Sequence, residues 1–281
     1  MTLRATARAI DCGAARLLIQ SDSYSRTSVV PGRTAAWPGS SSVTTLDFSR
    51  RSNQSELMDT EVVDFALFHQ CLQQLEIVNI LSLAYRPTLR WLRQELRDAP
   101  PGEKISIFDV GSGGGDMLRR IWKVLRQRQL GAALTGVDLN PWSKRSAEES
   151  TPSEMNISYE TSDIFAFDAS RHADLIISCN FTHHLADEEL VRFIHWMEAH
   201  ATRGWFINDL HRHWVPYYFI KSVFNLLPFN RMMRNDGPIS ISRAFRAPDW
   251  RRILDAAGIP PARRSIRWFF PFRYVVACRK P

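Results

Sequence analysis

Between residues 104 and 210 the chain alternates short apolar runs with stretches whose apolar positions recur every three or four residues. Residues 105–110, 133–139, 157–161, 173–178 and 204–210 read as strands, and 117–129, 143–150 and 188–201 as helices. Strands alternating with helices predict a parallel sheet with right-handed crossovers. The end of the chain breaks the alternation. Residues 265–270 and 273–278 flank Pro271-Phe272, which predicts an antiparallel hairpin closing the sheet.

Upstream, residues 56–97 are helical in pattern. Asp59 or Thr60 is placed to cap the first helix, and Pro87 to start or kink the next over 88–97. Asp98-Ala-Pro-Pro-Gly102 is a break. Residues 1–52 are rich in Ser, Thr, Arg, Ala and Gly, with few bulky apolar residues after Ile19, and read as a disordered extension. The extension is Arg-rich and acid-poor, which leaves organellar targeting open beside the cytoplasmic setting expected of the rest. The division expected is therefore an extension over 1–52, a helical segment over 53–100 and a main domain over 101–281.

Composition narrows the class. At 44% apolar and 23% charged the chain is that of an ordinary globular protein. No apolar run reaches the ~18 residues of a membrane span; the nearest, 214–229, is broken by Pro216, Lys221, Asn225 and Pro228. Cys12, Cys71, Cys179 and Cys278 show neither zinc spacing nor a disulfide pattern, so no metal is expected. The net charge of +7 is uneven: +4 over 1–55, +11 over 203–281, and about −8 between. No nucleic-acid reading module accompanies the basic third, so no nucleic-acid partner is expected. That third is either a solvated surface or a face for an anionic substrate or a membrane, which makes peripheral membrane contact an expectation.

Candidate chemistry begins where the first strand ends, at Asp109-Val-Gly111-Ser-Gly113-Gly-Gly115-Asp116. Glycines admit positive φ and let a ligand approach the backbone, and ligands of open α/β sheets bind beyond strand carboxyl ends. A dinucleotide loop needs a third glycine at 116, where Asp116 stands, and no phosphate-binding P-loop occurs. Asp109 would repel a pyrophosphate but suits a cationic group.

Residues 109–115 match the first motif, [DE]-x-G-x-G-x-G, of the class I S-adenosylmethionine-dependent methyltransferases, and the chain resembles that family over about 105–210. The resemblance implies a Rossmann-like, seven-stranded, mostly parallel sheet with helices on both faces. It implies S-adenosylmethionine as cofactor, held over Gly111, Gly113 and Gly115 with Asp109 near its methionine amino group. Asp138, ending the second strand beside Leu139, would accept from the ribose hydroxyls. Asp163, after the third strand, would accept from the adenine amino group, with Ile164 packing on the ring. Residues 178–180, Asn180 included, would border the transferable methyl.

The acceptor side is expected from the fourth and fifth strands. His183-His184-Leu follows the fourth strand; His183 is expected to face the pocket, and His184 to pack a helix. The fifth ends in Asn208-Asp209-Leu-His211, so His211 is the first candidate for general base and His183 the second. Asp209 and His211 also read as a structural pair, and Arg243 as either an acid-binding residue or a tie. Residues 211–247 form an inserted lid, and fifteen of the 31 aromatics lie in 203–281. The resemblance, to a ubiquinone-biosynthesis and polyketide-tailoring subgroup, thus implies a small, largely apolar acceptor, phenolic or polyketide/quinone-like, methylated on oxygen. Protein or RNA methylation and a non-catalytic cofactor-binding role are the alternatives.

Overall fold

A computed structural model describes residues 47–168 and 170–280; the expectation for residues 1–46 lies outside the described residues. Seven strands form one sheet in the order β3-β2-β1-β4-β5-β7-β6. These are β1 (Lys104–Val110), β2 (Gly131–Asp138), β3 (Ser158–Thr161), β4 (Ala173–Cys179), β5 (Ala201–Leu210), β6 (Arg264–Phe269) and β7 (Arg273–Arg279). The first five pair in parallel, whereas β7 lies antiparallel to both β5 and β6. The sheet predicted from the alternation and the terminal hairpin are therefore present.

Both faces of the sheet are buried, which explains the near-continuous apolar runs of the central strands. On one face Phe108, Val110, Ile176, Trp205 and Ile207 pack with Phe193, Ile194, Trp250 and Leu254. These partners come from α6 (Asp187–His200) and α9 (Ala247–Ala256). On the other face Ile105, Ile107, Leu175, Ile177 and Phe206 pack with Trp91, Leu92, Leu118 and Ile121. These come from α3 (Arg86–Glu95) and α4 (Asp116–Gln127). Pro87 lies in the first turn of α3, where a missing N–H costs nothing.

The segment before β1 departs from its predicted boundaries. Only a single turn, α1 (Leu57–Thr60), starts near Asp59, and its first N–H groups donate to Asp236 Oδ1 and Oδ2 at 2.8 and 3.0 Å. The long helix, α2 (Phe65–Leu81), begins instead after Asp64, whose side chain accepts from Leu67 N–H. Residues 47–52 also differ from the expected disorder. The Arg51 guanidinium donates to Asp187 and to the carbonyls of His183, Leu185 and Arg243, so this stretch is fastened to the domain. Four hydrogen bonds from one side chain overcome the polar composition that suggested disorder.

The insertion after β5 forms two helices, α7 (Trp214–Leu226) and α8 (Arg231–Arg243). They approach closely at Gly237, where a Cβ would stand 2.5 Å from the Phe224 ring. Tyr217 and Phe224 are buried between elements, whereas Trp214 and Phe219 are exposed at 58% and 64%. The remaining helix, α5 (Pro141–Ser150), follows β2 and is capped by Asn140. Among the described residues no helix is long and apolar enough to cross a membrane.

Candidate functional site

The carboxyl ends of β1, β2 and β4 meet under α2, and the glycine loop lies there. Gly111, Gly113 and Gly115 all have positive φ, at 71°, 50° and 73°. Their surroundings differ. A Cβ on Gly111 would come within 2.6 Å of Phe181, and one on Gly115 within 2.6 Å of the Tyr159 ring. Those two positions are glycine because protein side chains press on them. A Cβ on Gly113 would meet only Leu72 Cδ2 of α2, at 3.5 Å, so Gly113 alone opens toward the side a ligand would take.

Asp109 is 2% exposed, and its Oδ1 has no hydrogen-bond partner among the described residues. Burial, with Asp116 and Asp138 nearby, pushes its carboxyl well above the usual range. A desolvated acceptor with an unengaged lone pair suits a cationic donor such as an ammonium group. The residues therefore fit the amino-acid end of S-adenosylmethionine.

The other acids are partly occupied by the protein. Asp138 accepts from Gly113 N–H at 2.9 Å through one oxygen and from Asn140 N–H at 3.0 Å through the other. Its first duty is to hold the glycine loop. Leu139 beside it is 71% exposed. Asp163 is exposed and caps the turn after β3 by accepting from Phe165 N–H at 2.9 Å. Ile164 is buried in the core against α6. Asp138 closes β2, and Asp163 follows β3.

Asn180 follows β4 with φ of 54° and bridges two elements. Its Nδ2 donates to Asn79 of α2 at 3.1 Å, and its Oδ1 accepts from Arg273. Arg273, 3% exposed, also donates from Nε to Asn208 Oδ1 at 2.7 Å. Asn208 in turn donates to Thr88 and to the Ala84 carbonyl. Among the described residues no carboxylate lies within salt-bridge distance of Arg273, and burial lowers its pKa.

The two histidines predicted as bases are placed differently from each other. His183 is 3% exposed; its Nδ1 pairs with Asp209 Oδ1 at 2.7 Å and its Nε2 faces Glu56 at 3.7 Å. It therefore points into the protein rather than toward an acceptor, with Nδ1 held by Asp209 and Nε2 facing the buried Glu56. Burial alone would raise Asp209, but His183, Thr182 and the Leu210 N–H hold its carboxyl below the usual range. Asp209 thus pairs with His183 and not with His211. His184 packs against Asp59 at 2.8 Å; burial opposes its charged form, yet Asp59 and Glu56 raise its pKa.

His211 leaves β5 toward the hairpin. Its Nδ1 accepts from Trp268 Nε1–H at 3.2 Å, and Phe272, Tyr274 and His213 surround its ring. Burial, then the cationic neighbours, lowers its pKa to about 4. Arg243 is a tie: it donates to the carbonyls of His183, His184 and Gln54.

Sequence reasoning missed α2 as the cover of this cleft. Leu72 lies over Gly113 and Gly114, His69 meets Ser146 of α5 at 2.8 Å, and Glu76 pairs with Arg119 of α4 at 2.7 Å. The Tyr85 hydroxyl donates to Asp116. The helical pattern of 65–81 marks a buried face but not what it is buried against. Arg273 was also missed, since a lone arginine in a hairpin carries no signal.

Residues 107–204 match the family model of a methyltransferase domain. No curated protein matches the chain in sequence. Among solved structures, the human N-acetylserotonin methyltransferase in complex with SAM is similar at 15% identity and TM-score 0.54, over 77% of this chain and 56% of that one. The plantazolicin methyltransferase BpumL, in complex with SAH and a monoazolic desmethylPZN analog, is similar at 14% identity and TM-score 0.54, over 77% and 97%. At these identities the likeness is one of fold. The matched residues run from within β1 into β5 and include the whole carboxylate-flanked loop, so this stretch of the chain is similar to a methyltransferase domain.

Proposed function

We propose that the protein methylates an oxygen of a small, largely apolar acceptor, a phenol of polyketide or quinone type. The observation that carries this reading is Arg273, a buried guanidinium held by two side-chain amides and matched by no carboxylate in contact. An unpaired buried cation is costly. It becomes useful where an acceptor oxygen must lose its proton, because it stabilises the oxyanion in a water-poor site. A phenol, with a pKa near ~10, needs that help at neutral pH.

The cofactor supplies an activated methyl, and the chain supplies placement. Asp109 orients the ammonium group, Asn180 borders the transfer point, and α2 keeps water out. Orientation of this kind contributes up to about 7–11 kcal/mol to barrier lowering. The walls on the acceptor side are aromatic: His211, Phe272 and Trp268 cluster at the ends of β5 to β7. Trp214, Trp268 and Phe270 are exposed at 58%, 47% and 72%, an apolar mouth suited to an acceptor that partitions into membranes. The two similar structures are named for small acceptors, N-acetylserotonin and plantazolicin, which accords with this class.

The test is transfer of labelled methyl from S-adenosylmethionine to a panel of alkylphenols, hydroquinones and phenolic polyketides. Turnover on phenols that falls at least tenfold in Arg273→Lys, with cofactor affinity kept, supports the reading. Transfer to amines or peptides in preference to every phenol would overturn it.

A further inference from the structure

We propose that Glu56, His183 and His184 form a binding site for one divalent first-row transition-metal ion. The His183 Nε2, the His184 Nε2 and the Glu56 carboxylate converge within 4.8 Å of one another, the one such cluster among the described residues. His183 Nε2 stands 3.7 Å from Glu56 Oε1, and His184 Nε2 stands 3.9 Å from Glu56 Oε2. Both separations are too long for hydrogen bonds. Glu56 is 3% exposed, and its Oε1 has no hydrogen-bond partner among the described residues. A carboxylate buried to that degree without a partner is costly, and a bound cation would offset that cost.

The outer atoms of both rings are already fixed. His183 Nδ1 pairs with Asp209 Oδ1 at 2.7 Å, and His184 Nδ1 pairs with Asp59 Oδ2 at 2.8 Å. Each carboxylate takes the Nδ1 side of its imidazole, which leaves Nε2 facing Glu56 and free to ligate when the ring is neutral. Carboxylate–histidine–metal relays have this form, and they raise the basicity of the ligating nitrogen. Asp209 is itself locked by Thr182 Oγ1 and the His183 N–H. Arg243 fixes the backbone of both histidines from the opposite side.

The distances suit an ion between the groups. Bonds of about 2.0–2.1 Å in tetrahedral geometry hold ligand atoms roughly 3.4 Å apart. The observed 3.7 and 3.9 Å, which run to the two different oxygens of Glu56, are close to that spacing. Two imidazoles and one carboxylate select zinc, iron(II), manganese(II) or cobalt(II), and not calcium or magnesium, which take oxygen ligands. Three protein ligands leave at least one position for water. Glu56 lies just before α1 and the histidines just after β4. The ion would thus clasp the N-terminal segment to the core.

The experiment uses the full chain freed of any polyhistidine tag. Elemental analysis of the purified protein, or of protein dialysed against each of the four ions, is expected to give about one equivalent. Cobalt(II) is expected to develop ligand-field absorption in the visible. Chelation is expected to lower the melting temperature by about 5–10 °C, as loss of a tightly bound native-state ligand does. His184→Gln, at the more exposed ligand, and Glu56→Gln are each expected to abolish uptake while melting cooperatively. Wild-type protein that takes up none of the four ions, with a melting temperature indifferent to chelator, overturns the proposal. So does uptake that survives in both variants.

Discussion

Alanine at each of the three loop glycines separates packing from binding. All three positions have positive φ, so any Cβ costs about 1–2 kcal/mol in backbone strain. At Gly113 nothing adds to this, because the nearest atom is an ordinary contact at 3.5 Å. At Gly111 and Gly115 the new Cβ would overlap Phe181 or Tyr159 at 2.6 Å, and forced overlap costs about 1–3 kcal/mol more. The totals are about 1–2 kcal/mol for Gly113→Ala and about 2–5 kcal/mol for the other two. At about 2–4 °C per kcal/mol, melting should fall by about 2–8 °C in Gly113→Ala and about 4–20 °C in Gly115→Ala. Binding should rank differently. The added methyl at Gly113 fills the space between loop and α2, and a loss of at least ~1.4 kcal/mol, tenfold in Kd, is expected for S-adenosylhomocysteine. Differential scanning fluorimetry and calorimetric titration read the two quantities. If Gly113→Ala is as destabilised as Gly115→Ala, or binds like wild type, the assignment of Gly113 as the ligand-facing glycine is wrong.

Asp109→Asn should weaken S-adenosylhomocysteine binding by about 10–150-fold, the worth of a charge-assisted hydrogen bond of ~1.5–3 kcal/mol. The same change should stabilise the ligand-free protein at neutral pH. The folded-state pKa of Asp109 lies above the unfolded value near 3.8, so the folded state binds the extra proton, and stability falls as pH rises through that interval. Below the folded-state pKa of Asp109, wild-type binding should release a proton, seen as a dependence of calorimetric heat on buffer; equal heats in all buffers there would count against it. His211→Ala should lower kcat by less than about tenfold, well under the ~10²–10⁴ of a general base, and a larger loss would restore His211 to that role. With its folded pKa near 4 against 6.5 unfolded, His211 favours the folded state fully above pH 6.5. That contribution is lost as pH falls toward 4, so His211→Gln should flatten the acid limb of a stability–pH curve; an unchanged limb would contradict the burial argument.

The sheet was readable because its strands are buried on both faces and its helices show a different period. The loop was readable because glycines and acids at strand ends have few other uses in that arrangement. Boundaries failed where a single cap decided them: Asp64, not Asp59, starts the long helix, because its carboxylate reaches the Leu67 N–H. The acceptor side failed for a topological reason. His183 and Asp209 are 26 residues apart, and only the pairing of β4 with β5 brings them into contact. No local pattern separates a histidine aimed at an acceptor from one aimed at Glu56, which lies more than a hundred residues upstream.

The cover formed by α2 has a kinetic consequence. His69–Ser146 and Glu76–Arg119 fasten the helix to both banks of the cleft, and Asn79–Asn180 fastens its far end. If the cofactor of the proposed function binds beneath α2, its exchange requires these contacts to break, and an opening step is expected in each turnover. Lid motions of this type run on microsecond to millisecond scales and often set kcat. The expected order of addition is donor first and acceptor second, and random-order initial-rate kinetics would count against a cover that closes over the donor.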